Sequence, residues 1–210
     1  MEKFYLEKPS INRKQDALNY LNEHIQYKSK INGTSGLNRC INDISYEQWL
    51  EEVLNMPNEE YAKSLGYVPG YTYFLIRRED DKIIGMINIR YNLTEEMLTY
   101  AGHIGYGVRP SERRKGYAKL QLYLALKKAN ELSLDKVMIS CDETNEASDR
   151  TIKSLGGVFE RKQLEQDRSE ILNIYWINVE KSIEKYKNKY EKYVKGDDEN
   201  EDRNTTNKRL

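Results

Sequence analysis

His103-Ile-Gly-Tyr-Gly-Val-Arg-Pro-Ser-Glu-Arg-Arg-Lys-Gly-Tyr-Ala118 is the stretch on which the reading of this chain turns. Its first part reads as a strand, Pro110 and Ser111 mark a turn, and Ala118, Leu122, Ala125 and Ala129 then recur at helical spacing. The strand therefore runs through a turn into a helix whose first turn contains Gly116. The leading N–H groups of a helix have no partners inside it, and the helix dipole adds partial positive charge there. A phosphate fits such a place. Gly116 removes the side chain that would hold a ligand away from the backbone. Arg109, Arg113, Arg114, Lys115 and Lys119 bring cations to the same turn. The chain has 34 Lys and Arg against 34 Asp and Glu, a net charge of +0, so this anion site is local. No global field draws nucleic acid or anionic lipid.

Gly105 and Gly107 sit inside the strand and weaken it. Either they relieve twist in a bend, or they admit another backbone or a ligand at close range. A molecule carrying amides could lie along this strand and set a pyrophosphate on the helix start.

Outward from this centre, Phe4 to Leu6 predicts a first strand, and a helix runs from about Asn12 to Tyr27. The stretch from Ile31 to Gly36 is a loop. Ser45 with Gln48 three residues on is a capping-box pattern that opens a second helix through Trp49 and Val53. Tyr71 to Arg77 and Lys82 to Tyr91 are strands joined by Glu79-Asp80-Asp81, and Tyr100 to Val108 is a third. The helix from Lys115 to Leu132 leads to a short strand, Val137 to Cys141, and a helix from Asn145 to Leu155. Val158 to Arg161 and Ile171 to Val179 close the order. The fold class is α/β, a mixed sheet flanked by helices.

Residues 1–180 make one domain. Ile183, Tyr186, Tyr190 and Tyr193 predict a helical extension over 181–195, and 196–210, apolar only at Leu210, is expected to be disordered. Charged residues reach 32%, but 17 tyrosines and periodic apolar runs argue for a folded body. Cys40 and Cys141 stand alone, without metal-ligand spacing, so no metal is expected. No signal peptide and no run of about 20 apolar residues is present, which predicts a cytoplasmic protein away from the membrane.

Arg113-Arg-Lys-Gly116-Tyr-Ala118 matches the Q/R-x-x-G-x-G/A signature of the GNAT superfamily of N-acetyltransferases. Alone it would arise by chance in roughly one chain in five of this size. The preceding strand and following helix give it weight. Val137 to Cys141, followed by Asn145, Ser148 and Gly156, resembles the family's strand–Asn-x-x-A/S–helix–Gly segment, and the element order resembles the family from Phe4 to Val179. The resemblance implies a mostly antiparallel, twisted GNAT sheet and acetyl-CoA as donor. It implies that the pyrophosphate meets the segment Arg113, Arg114, Lys115, Gly116, Tyr117 and Ala118, that pantetheine meets the Val108 main chain and the Asn145 amide, and that Tyr106 and Ser148 belong to the same acetyl-CoA site. It further implies direct attack by a small-molecule or peptide amine in a ternary complex. No nucleic acid or membrane is implied, and a homodimer is allowed.

An ammonium acceptor must lose a proton, and relatives often place a glutamate early in the strand before the signature. Here His103 stands there, with an ordinary pKa suited to a base. The alternative is a strand histidine bonded to its surroundings. Many relatives carry an acidic tyrosine seven residues after the asparagine, where this chain has Ile152. Tyr106 or Tyr175 could substitute, or the thiolate could leave directly. The rival reading is an acyl-CoA-binding module without catalysis. Cys141 is expected in packing, and His24 on a solvated or capping face.

Overall fold

Alternating β-branched and aromatic residues build two sheets. The computed structural model describes residues 2–165 and 169–194, so the predicted disordered tail lies outside the described residues. Strands β1 (Phe4–Glu7), β2 (Gly70–Arg77), β3 (Lys82–Arg90) and β4 (Ile104–Val108) form one antiparallel sheet in chain order. Strands β5 (Lys136–Asp142), β6 (Val158–Glu165) and β7 (Glu170–Asn178) form a second antiparallel sheet, with β7 in the middle.

Helices α1 (Lys14–Gln26) and α2 (Tyr46–Asn55) cover one face of the first sheet. Phe74 and Met86 meet Tyr20, Leu21 and Trp49 there. The predicted capping box holds: the Gln48 N–H donates to Ser45 Oγ, and the Ser45 N–H to Gln48 Oε1. Helices α3 (Glu59–Ser64) and α4 (Glu95–Tyr100) follow, then α5 (Tyr117–Glu131) and α6 (Glu146–Ser154). The opposite face of the first sheet packs on α5, and this core runs on through Ile139, Ile152 and Tyr175 into the second sheet. Because α5 lies between that sheet and α7 (Val179–Tyr190), every residue from Leu120 to Leu126 is buried. The predicted one-sided stripe is too narrow, and its first member, Ala118, stays half-buried.

Two boundaries move. The strand expected from Tyr100 begins only at Ile104, because α4 occupies the preceding residues. Thr94 caps that helix by accepting from the Met97 N–H, with Glu95 and Glu96 in its first turn. The extension is no appended arm. Tyr190 and Val194 lie in the main core, with the Tyr190 ring 5.1 Å from Tyr123.

The two sheets join at one end only. The His103 N–H donates to the Met138 carbonyl (2.8 Å), the Met138 N–H donates back to His103 Nδ1 (2.9 Å), and Gly102 bridges to Ile139. From Ile104 onward β4 pairs only with β3, so β4 and β5 diverge into an open gap.

Candidate functional site

Strand alternation decides what the gap offers. The Arg90 N–H donates to the His103 carbonyl (2.7 Å) and the Arg109 N–H to the Ile84 carbonyl (2.8 Å), in one register. Gly105 and Gly107, with the His103 carbonyl and the Arg109 N–H, therefore spend main-chain groups on β3, while Ile104, Tyr106 and Val108 turn theirs toward the gap. The Val108 carbonyl accepts from Arg113 Nε (3.1 Å). Across the gap, the Tyr106 hydroxyl shares a 2.8 Å hydrogen bond with Ser148 Oγ. Asn145 Oδ1 caps α6 by accepting from the Ser148 N–H (3.1 Å), and its NH2 remains free to donate to a ligand. Tyr106, Ser148 and Asn145 are thus linked across the gap, with Val108 two residues along β4.

At its end lies the start of α5. Gly116 has φ +89° and Arg114 φ +66°, both in the left-handed region. The N–H groups of Lys119 and Leu120 fold back to the Gly116 carbonyl. The N–H groups of residues 114–118 form no hydrogen bond among the described residues. A Cβ placed on Gly116 would meet nothing within 4 Å, so the space above this row of donors is open.

The cations around it divide. Arg114 is exposed with no ion pair among the described residues; Arg113 Nη2 donates to Ser29 Oγ (2.7 Å). Arg109, expected at the turn, is instead buried. It pairs with Asp16 (2.7 Å) and Glu23 (3.2 Å) and ties α1 to the sheet. Tyr117 turns its ring into the core against Phe4 and donates its hydroxyl to Glu2 (2.6 Å), leaving only its N–H for a ligand.

Glu112 is the residue the sequence reading missed, although it lies within the decisive stretch. Its buried carboxylate meets Arg77 (3.0 Å), Lys82 (3.3 Å) and Lys115 (2.8 Å). Burial alone would raise its pKa, but hydrogen bonds from Arg77 and Lys115 outweigh that and hold it at about 2.

Gly107 serves the close approach of another backbone, whereas a Cβ on Gly105 would make only ordinary contact with Gly33 Cα at 3.5 Å. A Cβ on Gly107 would lie 2.6 Å from the Asn32 carbonyl oxygen, and one on Gly33 2.4 Å from Tyr106 Cα. The loop after α1 is thus laid directly on β4. Lys30 of the same loop reaches Glu170 (2.7 Å) and Asp142 (3.5 Å) on the second sheet, so the loop spans the gap.

The base expected at His103 does not fit this geometry. With Nδ1 accepting from Met138, the neutral ring carries its proton on Nε2 and has no free lone pair for an amine proton. Burial, reinforced by Arg90, lowers its pKa to about 4. His24 also departs from expectation. It is fully buried against Tyr20, with ring centroids 4.7 Å apart, and burial lowers its pKa to about 4. Ile152 is buried, Tyr175 donates to Asp149, and burial pushes the Cys141 thiol up to about 11. Among the described residues no His, Cys, Asp and Glu cluster suits a metal, and no helix is long and apolar enough to cross a membrane. A concavity of about 550 Å3 beside Trp176 and Val158 is lined mainly by apolar atoms and includes none of these groups.

A split sheet whose open strand edge leads to an uncapped, cation-flanked helix start offers main-chain donors and positive charge along one path. The chain belongs to the GNAT acetyltransferases: the family described as acetyltransferase (GNAT) domain matches residues 16–158. It is an acetyl-CoA-dependent N-acetyltransferase.

Solved structures share the fold at low identity. The microcin C7 self-immunity acetyltransferase, solved with acetyl-CoA and AMP, is 18% identical with a TM-score of 0.60, covering 83% of this chain and 91% of its own. The ribosomal-protein-S5-alanine acetyltransferase of Vibrio fischeri is 18% identical with a TM-score of 0.56, covering 85% and 94%. Mutant forms of the Vibrio cholerae spermidine/spermine N-acetyltransferase are 15% identical with a TM-score of 0.58, covering 87% and 98%. No curated protein matches the chain significantly by sequence.

Proposed function

We propose that acetyl-CoA lies along the β4 edge of the gap and that its acetyl group passes directly to a primary amine in a ternary complex. The observation that carries this is a pair of unused donor sets at the two ends of one strand–turn–helix unit, the gap-facing main chain of β4 and the N–H groups of residues 114–118. The pyrophosphate sits on that helix start, assisted by Arg113, Arg114 and Lys115. Pantetheine takes the main chain of Tyr106 and Val108 and the Asn145 amide. The amine nitrogen attacks the thioester carbonyl, the C–S bond breaks, and the electron pair leaves with the thiolate. Tyr106, held protonated by burial, donates a hydrogen bond to that thiolate, with Ser148 orienting its hydroxyl. The amine attacks as the free base and gives its proton to water; His103 sets the position of β4 against β5.

Calorimetry with CoA tests the donor seat. Gly116→Val places a branched side chain in the open space and resists the φ of +89°. Affinity should fall by about tenfold or more while circular dichroism shows an intact fold. Equal affinity in a folded variant would overturn the seat.

A further inference from the structure

Arg90 ends β3 on the face that the loop after α1 covers, opposite His103 and two pairs along from Asn88–Gly105. Its Nη2 would lie 3.9 Å from a Cβ on Gly105, whose nearest neighbour is Gly33 Cα at 3.5 Å. The guanidinium is largely enclosed. Nη2 donates to the Ala101 carbonyl at 3.3 Å, Nε is buried without a partner, and no carboxylate pairs with it among the described residues. Other enclosed arginines differ: Arg109 has Asp16 and Glu23, Arg77 has Glu112, and Arg13 has Glu7 and Asp81. Burial alone lowers the pKa of Arg90, to about 10.

The polar groups on the same face are neutral. Ser35 and Thr72 share a 2.6 Å hydrogen bond, and Asn88 Nδ2 lies 3.4 Å from Thr72 Oγ1. His103 is uncharged near neutral pH. Enclosing a guanidinium with no counter-ion costs stability, and its planar fork matches a carboxylate in two parallel hydrogen bonds. Arg90 therefore stands as half of an ion pair beside Gly105 of β4, the strand that edges the gap.

We propose that the amine acceptor carries a carboxylate a few bonds from its amino group, and that Arg90 binds it. This rests on the reading that acetyl-CoA occupies the β4–β5 gap. The carboxylate could belong to a free amino acid or to an acidic residue near a peptide N-terminus. A cation held beside the amine also disfavours its ammonium form, which helps a site without a base to use a neutral amine.

The test uses the full chain and three sets of acceptors: amino acids, the amines left by their decarboxylation, and dipeptides with Asp or Glu second. Acetyl transfer is followed by CoA release, and calorimetry measures binding of the N-acetylated products to protein saturated with CoA. Within a matched pair the acid should exceed its decarboxylated amine by about tenfold or more in kcat/KM, and only acetylated acids should bind. Preference for dipeptides over free amino acids identifies the peptide source, and the reverse identifies the free acid. Arg90→Gln should raise KM for the acid and erase the preference while CoA affinity stays unchanged. Arg90→Lys, which keeps the charge but loses the fork, should restore part of it. A merely structural Arg90 would leave the ratio within each pair unmoved. Equal use of both members of a pair overturns the inference, as does CoA binding with no acetylated acid bound. Failure of CoA itself to bind would overturn the donor reading, and this inference with it.

Discussion

The imidazole of His103 is held from two sides: Nδ1 by the Met138 amide, and the ring edge against Trp176, with centroids 6.0 Å apart. A histidine so fixed joins two sheets more readily than it moves protons. His103→Ala should therefore lower stability by roughly 1–3 kcal/mol, the cost of leaving a buried amide without its acceptor. Its pH–rate profile should keep the parent's shape, rising toward the acceptor's own pKa. An ascending limb near the ordinary histidine value that disappears in the variant would restore the base role. Position led sequence reasoning to His103, which lies one residue before β4 begins. The Met138 amide that claims the lone pair comes from a strand 35 residues away and leaves no trace near His103.

Helix starts show what local sequence can and cannot say. Ser45 and Gln48 announced α2 because both halves of a capping box lie within one turn. Thr94-Glu95-Glu96 and Asn58-Glu59-Glu60 carry similar cap-and-acid signals for α4 and α3, but six-residue helices have too little periodicity to be heard over neighbouring aromatics. The donor seat at α5 was legible because strand, turn, glycine and helix are contiguous. Its anchor was not, since Arg77 and Lys82 reach Glu112 from the β2–β3 hairpin. Glu112→Gln separates the two aspects. Removing one partner of a buried ion cluster should cost about 3 kcal/mol in urea unfolding. Loss of a negative charge beside the phosphate seat should at the same time leave CoA affinity equal or higher in the folded variant. A folded variant that binds CoA more weakly would show that Glu112 shapes the seat directly.

Stability across the protein should depend on pH through two buried histidines and one buried carboxylate. His24 and His103 have folded pKa values of about 4 against an ordinary 6.5. Below pH 6.5 the unfolded chain takes up protons that the folded chain refuses, so stability present above that value is lost as pH falls toward 4. Each histidine contributes on the order of 3 kcal/mol over that window. Glu112, depressed from 4.5 to about 2, extends the loss below pH 4.5. Melting temperature followed from pH 7.5 to 4.5 should fall steadily, and His24→Leu should flatten the slope. A melting temperature constant from pH 6.5 to 5 would contradict the burial of both rings.

The Lys30 contact across the gap gives dissolved salt two opposing effects on the donor. Lys30 is 68% exposed in its side chain, so its ion pairs with Glu170 and Asp142 weaken as ionic strength rises. A loosened crossing lets CoA enter and leave faster without changing its affinity. Screening of Arg114 slows arrival and hastens departure. Stopped-flow measurements should therefore find that the dissociation rate of CoA increases with salt more steeply in the parent than in Lys30→Ala, while arrival slows with salt more steeply in the variant. A dissociation rate equally sensitive in the variant would mean that ligand traffic bypasses this crossing. If the crossing does control traffic, residence time and affinity can be tuned separately in this protein, one at Lys30 and the other at the start of α5.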